Sequence, residues 1–133
     1  MIISKINKTL LILSIFFLTQ CYTEPFFELT VRVLDGNLSP VPNTEVKIEI
    51  IDVDNGELVS GSIIEQSGIT GEDGSVFFSF ENKAFVTARA CFNTSYGPSS
   101  TYICNESSVY LEEDTNKELS LMLQVGNCEY CDL

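Results

Sequence analysis

The sequence predicts an all-β protein, a single antiparallel β-sandwich of about seven strands that follows an N-terminal signal segment. Three observations carry this prediction. Apolar and polar residues alternate with a period of two in several short runs. Turn-forming Gly, Pro, Asn and Asp recur about every ten residues, the spacing of sandwich strands. No convincing helical pattern occurs beyond the N-terminal apolar run.

The strands follow one another along the chain, and each has apolar residues on one face. Their predicted inward faces are Leu29, Val31 and Val33; Val46, Ile48 and Ile50; Val76, Phe78 and Phe80; Val86, Ala88, Ala90 and Phe92; and Leu119, Leu121, Leu123 and Val125. Asn55-Gly56 favours a tight hairpin, because both residues tolerate positive φ, and its return strand is predicted over 58–64. The segment SGITGEDG, 67–74, is predicted to be a turn.

Residues 1–20 are predicted to be a signal peptide, whose type is indicated by the residues around Cys21 that are considered below. Lys5 and Lys8 precede the apolar run LLILSIFFL, which is the order of charge and hydrophobicity in an export signal. The run is too short to cross the roughly 30 Å hydrocarbon core as a helix. We expect residues 21–27 to be a tether, 28–125 the sandwich domain and 126–133 a C-terminal tail with a Cys-x-x-Cys motif.

The charge and composition exclude several function classes. All 19 acidic residues lie beyond Cys21, against five basic ones, so we expect no nucleic-acid partner and no electrostatic binding to anionic lipid. The chain has no histidine and no Gly-x-Ser-x-Gly motif. Histidine is the usual general base and the commonest metal ligand. We therefore assign no catalytic residue, no metal ligand and no cofactor, and expect a protein that is not an enzyme.

The cysteines other than Cys21 are even in number, which predicts disulfide bonds in an exported protein: Cys91, Cys104, Cys128 and Cys131. A hairpin centred between Gly97 and Pro98 places Cys91 opposite Cys104 on the outer face, so we expect these two to be bonded. Cys128 and Cys131 then form a small terminal loop. A thiol oxidoreductase site needs a helix behind its first cysteine, and a zinc site needs further ligand-like spacings, so both are disfavoured.

Two weaker candidates are recognition or metal sites on loops. The loop NTSYGPSSTY offers Tyr96 and Tyr102 as a recognition surface, against the alternative that Tyr102 packs on its own hairpin. Asp52, Asp54 and Glu57 surround the Asn55-Gly56 turn and suggest calcium. Their spacing differs from that of an EF-hand loop, so solvated acids at a hairpin tip are the alternative.

The strand and turn motifs carry a family resemblance. A Pro-Val-Pro-x-x-x-Val segment runs from Pro40 to Val46, and a Thr-x-x-x-Gly-x-x-x-Phe segment from Thr70 to Phe78. With the surrounding strands, 28–125 resembles the carboxypeptidase regulatory-like, or transthyretin-like, β-sandwich domain. It also resembles the invasin-type immunoglobulin-like repeats of bacteria. Either resemblance implies a non-catalytic structural or interaction module.

The residues around Cys21 resemble a second family pattern. Leu18-Thr19-Gln20-Cys21 is similar to the lipobox of bacterial lipoprotein precursors. The resemblance implies cleavage before Cys21, which then carries the acyl chains that hold the protein in the lipid bilayer. We expect an envelope protein, of the outer membrane on its periplasmic or surface face, with a possible protein or glycan partner. The alternative is a freely secreted, disulfide-stabilised recognition domain.

Overall fold

The computed structural model describes residues 23–51, 53–54, 57–58, 65–94 and 101–131. Its strands, in chain order, are β1 (Phe27–Leu34), β2 (Glu45–Ile51), β3 (Val53–Asp54), β4 (Glu57–Leu58), β5 (Glu65–Ile69), β6 (Ser75–Phe80), β7 (Phe85–Asn93), β8 (Tyr102–Tyr110) and β9 (Thr115–Met122). A single 3₁₀ turn, Glu129–Cys131, follows β9. The all-β prediction is therefore confirmed.

Seven of these strands form the two layers of a β-sandwich. One sheet has the order β6-β1-β9 and the other the order β5-β2-β7-β8. All neighbours in these two sheets are antiparallel except β1 and β9, the first and last strands, which run in the same direction. The predicted number of strands is confirmed, and the sandwich is antiparallel apart from this one pair.

The core lies between the two sheets and contains most of the residues predicted to point inward. Phe92 of β7 is partly buried against the core, and the other predicted inward residues of β1, β2 and β7 are almost completely buried: Leu29, Val31, Val33, Val46, Ile48, Ile50, Val86, Ala88 and Ala90. The prediction is wrong for Val125, which is 84% exposed. The chain leaves the three-stranded sheet after β9, and the next bridge is made by Gln124 to Cys104 of the other sheet. The alternation of β9 therefore no longer applies at Val125.

The turn predicted over 67–74 is wrong in its first three residues, which belong to β5. Gly68 pairs with Val46, and a Cβ atom at Gly68 would lie 2.7 Å from Cγ2 of Val76. Glycine is therefore used here for close packing between the sheets, and its turn propensity is not realised. The return strand predicted over 58–64 lies mostly outside the described residues.

The hairpin predicted at Asn55-Gly56 is supported by its flanking strands. β3 pairs with β4 in an antiparallel register that sets Asp54 opposite Glu57. Such pairing leaves two residues for the connection, which is the spacing of a tight hairpin turn. Asn55 and Gly56 themselves lie outside the described residues.

The two motifs that carried the sandwich resemblance contact each other at one end of the sandwich. The buried Thr70 hydroxyl accepts a hydrogen bond from the Thr44 N–H at 2.9 Å and donates one to the Val41 carbonyl at 2.8 Å. Gly74 has a φ of 72°, and a Cβ atom there would lie 2.8 Å from Cβ of Pro40. The motifs therefore fix one loop against the other and carry no reactive group.

Candidate functional site

The most distinctive local structure is a pair of disulfides that fastens the tail to the sheet. Cys91 of β7 is bonded to Cys131, and Cys104 of β8 is bonded to Cys128, with Cα–Cα distances of 5.7 and 5.9 Å. The prediction that these four cysteines form disulfides is confirmed. The predicted pairs Cys91–Cys104 and Cys128–Cys131 are both wrong.

The physical reason for this correction is the path of the chain after β9. The predicted hairpin register is right, since Cys91 is paired with Cys104 across β7 and β8. Gln124 then exchanges two backbone hydrogen bonds with Cys104, of 3.0 and 3.1 Å, and so places the tail beside β8. The tail places Cys131 beside Cys91 and Cys128 beside Cys104. These contacts cannot be inferred from the hairpin register alone.

Arg89 lies next to this disulfide pair, at the centre of the outer face of the four-stranded sheet. Its guanidinium contacts Glu49 of β2 at 2.6 Å and Glu106 of β8 at 2.9 Å. Tyr130 of the tail covers it, with the ring centroid 5.5 Å from Cζ of Arg89. One cation therefore joins three strands and the tail, and its distance to the ring suits a cation–π contact.

The ionisation of both groups reflects these contacts. Hydrogen bonding to Glu106, with further attraction from Glu49, raises the pKa of Arg89 above its ordinary value. Partial burial, reinforced by the negative charge of Glu106, raises the pKa of Tyr130. At neutral pH the site therefore holds a charged guanidinium beneath an uncharged phenol.

A shallow groove of about 320 Å³ runs beside Tyr130 across β2 and β5. Its walls are Lys47, Ile48, Glu49, Gln66, Ser67, Arg89 and Tyr130. We call these residues the Tyr130 groove. They combine an aromatic ring with amide, hydroxyl and charged groups of both signs, so the groove offers an apolar ring face beside several groups that can form hydrogen bonds. The sheet and the two disulfides hold the aromatic wall in place.

Some of the other predicted site residues lie in the part of the chain that the structure describes, and others do not. Cys21, Tyr96 and Asp52 lie outside the described residues, as do the side chains of Asp54 and Glu57. Tyr102 packs against the cluster of Cys91, Cys104 and Cys131. Cys91 and Cys104 belong to its own hairpin, so this contact agrees with the packing alternative and not with a recognition role. The sulfur atoms of Cys104, Cys128 and Cys131 lie within 4.8 Å of one another, but each belongs to a disulfide and offers no thiolate to a metal.

Arg89 and Tyr130 were not predicted as site residues. The alternation in β7 does place Arg89 on the same face as Cys91, two residues away. The position of Tyr130 between Cys128 and Cys131 becomes informative only when both cysteines are known to bond to that face. Prediction of this site would therefore have required knowing that the tail cysteines are bonded to the hairpin cysteines.

The chain matches no known protein family, and no curated protein matches it. In the part of the chain that the structure describes, no helix is long and apolar enough to cross a membrane.

Proposed function

We propose that this protein is a non-catalytic, lipid-anchored component of the bacterial cell envelope, in which the β-sandwich is a binding or structural module. The observation that carries the proposal is the pairing of the cysteines. The sequence has five, and the four in the folded domain are bonded to one another. Cys21, which directly follows the apolar run, is thus left without a partner in its own chain.

Export is supported by the same two disulfides, because disulfides persist in oxidising compartments such as the bacterial periplasm. In the proposed mature protein, Cys21 carries the lipid. One acyl chain gives only marginal membrane binding, whereas several acyl chains give stable anchoring. The residues from Cys21 to β1 then form a short tether between the bilayer and the sandwich.

Labelled palmitate tests the anchor in a Gram-negative host that expresses the full chain. We expect label in the wild-type protein and in the membrane fraction, and neither after Cys21→Ala. The Cys91→Ser/Cys131→Ser variant is the matched control, because it removes two other cysteines and should keep the label. Membrane association that survives Cys21→Ala would refute the anchor.

The Tyr130 groove is the proposed binding surface for a protein or glycan partner. Sites on rigid elements bind more selectively than sites on mobile loops, and Tyr130 is fixed by disulfides on both sides. A photoreactive amino acid at position 130 should cross-link to an envelope component in cells. The same group at Phe77, which is exposed on the opposite sheet, is the control. Cross-links from position 77 alone, or from neither position, would contradict this surface.

Two other functions remain as alternatives. A freely secreted recognition domain would carry no lipid. It would be released from the cell, and the Cys21→Ala change would not alter that release. An envelope thiol oxidoreductase would use Cys128 and Cys131 as a redox pair. This second alternative is disfavoured because each of these cysteines is bonded to the hairpin and not to the other. Insulin reduction by the purified protein would support it.

A further inference from the structure

We propose that the paired disulfides are a thiol-exchange site at which the tail can be detached from the sheet without net oxidation or reduction. The partner is an exported protein with a nucleophilic cysteine thiolate. The exchange converts the observed pairs, Cys91–Cys131 and Cys104–Cys128, into Cys91–Cys104 and Cys128–Cys131. This proposal goes beyond the binding function and does not depend on the lipid anchor.

The first argument is that the alternative pairs are also close in this structure. Cys91 and Cys104 are directly opposed on neighbouring antiparallel strands. Opposed residues have Cβ atoms about 4.5–5.5 Å apart, and a disulfide requires only a modest approach from there. Cys128 and Cys131 are three residues apart in one turn, and their sulfur atoms lie within 4.8 Å of each other.

The second argument is the unequal exposure of the four sulfur-bearing residues. Cys91, Cys104 and Cys131 are buried, with 5–7% of their surface exposed, whereas Cys128 is only partly buried. Thiol–disulfide exchange requires access for the attacking thiolate. The Cys128 end of the Cys104–Cys128 bond is therefore the point of entry.

Three successive exchanges complete the conversion. The incoming thiolate attacks Sγ of Cys128, which forms a mixed disulfide and releases the Cys104 thiolate. This thiolate attacks Sγ of Cys91, which forms the Cys91–Cys104 bond and releases the Cys131 thiolate. Cys131 then attacks the mixed disulfide at Cys128, which forms Cys128–Cys131 and returns the incoming thiolate. Two disulfides are present before and after, so the thiol is a catalyst.

The consequence of the exchange is that no covalent bond holds the tail on the sheet. Tyr130 is then free to leave Arg89, and the outer face of the four-stranded sheet becomes accessible. Since oxidation of cysteines in their order along the chain also gives Cys91–Cys104 and Cys128–Cys131, the same reaction in reverse leads a newly exported chain to the observed pairs.

Mapping of disulfides in the oxidised wild-type protein tests the proposal, with reduced glutathione as the thiol. After acid quenching and alkylation, chymotrypsin can cut at Tyr96, Tyr102 and Tyr130, between the cysteines of each alternative pair. We expect peptides joined through Cys91 and Cys104 to appear only with thiol. Below the pKa of the thiol, their rate of appearance should rise about tenfold per pH unit, in proportion to the thiolate.

If the wild-type protein at equilibrium contains mainly the observed pairs, the exchanged pairs will not accumulate. The Cys128→Ser variant then tests the proposal. It leaves Cys104 as a free thiol, which corresponds to the product of the first exchange. We expect Cys91–Cys104 with Cys131 free for alkylation. Recovery of Cys91–Cys131 with Cys104 free would overturn the proposal. The Cys104→Ser/Cys128→Ser variant, which has no free cysteine within the sandwich and its tail, should keep Cys91–Cys131 and is the control.

Discussion

Cys91 and Cys104 are directly opposed on neighbouring strands, yet each is bonded to a cysteine of the C-terminal tail. The two disulfides close loops with sequence separations of 40 and 24 residues, and one loop lies within the other. A direct bond between the opposed cysteines would have closed only the hairpin. The observed pairs also fix the tail, and with it Tyr130, on the sheet.

Removing either disulfide should lower the free energy of unfolding by about 3 kcal/mol, because the unfolded chain regains the entropy of a long loop. We expect this for Cys91→Ser/Cys131→Ser and for Cys104→Ser/Cys128→Ser, measured by urea denaturation. Since the loops are nested, each disulfide shortens the loop that the other closes, so removal of all four cysteines should cost more than the sum of the two losses. A loss equal to the sum would contradict this account.

Gly74→Ala should lower the free energy of unfolding by about 3 kcal/mol. The residue has a φ of 72°, and the added Cβ would lie 2.8 Å from the Val33 carbonyl oxygen and 2.9 Å from the Val41 nitrogen. Gly36→Ala is the matched control, since no atom lies within 4 Å of its added Cβ, and it should change stability by less than about 0.5 kcal/mol. Equal urea midpoints for the two variants would refute the steric argument.

Thr70→Val should cost about 2 kcal/mol of stability, because the Thr44 N–H would lose its hydroxyl acceptor in a site where both threonines are buried. Thr70→Ser keeps the hydroxyl and should retain most of the stability. Urea denaturation of the two variants separates the lost hydrogen bond from the lost methyl contact. A larger loss for Thr70→Ser than for Thr70→Val would point to packing instead.

Asp73→Asn should make the protein less sensitive to acid. The Asp73 carboxylate accepts hydrogen bonds from the hydroxyl and the backbone N–H of Ser75, and these lower its pKa from the ordinary 3.8. The ionised Asp73 carboxylate therefore contributes its full stabilisation above pH 3.8. This stabilisation is lost as the pH falls through the lowered pKa of Asp73 in the folded protein. The urea midpoints of wild type and variant should differ near neutral pH and converge in stronger acid. A difference that persists unchanged in acid would contradict the assignment.

The inward faces of the strands could be predicted because side chains alternate strictly along a strand. Leu29, Ile48 and Val86 follow directly from that period. The disulfide pairs could not be predicted, because they depend on which segment passes over the outer face, and no periodicity reports that path. Gly68 was misassigned for a related reason, since its neighbour Val76 lies on a strand of the other sheet.

The resemblance motifs show how the sequence can indicate a structure without revealing its cause. Pro40, Thr70 and Gly74 were recognised as elements of a pattern. Their contacts show that the pattern is a lock between two loops, made by one buried hydroxyl and one position without room for a side chain. The candidate site had no such pattern, because Arg89 and Tyr130 meet only through the disulfides.

Because β1 and β9 pair in parallel, the first and last strands of the sandwich run in the same direction. Phe27 lies level with Thr115, and Leu34 lies level with Met122, so the chain enters the sandwich at one pole and the tail departs from the other. At about 3.3 Å per residue, the eight residues of β1 separate these poles by roughly 25 Å. A protein held by residues ahead of Phe27 would therefore present the pole at which the tail departs, with the bridge from Gln124 to Cys104 close to it, at about that distance from its attachment point.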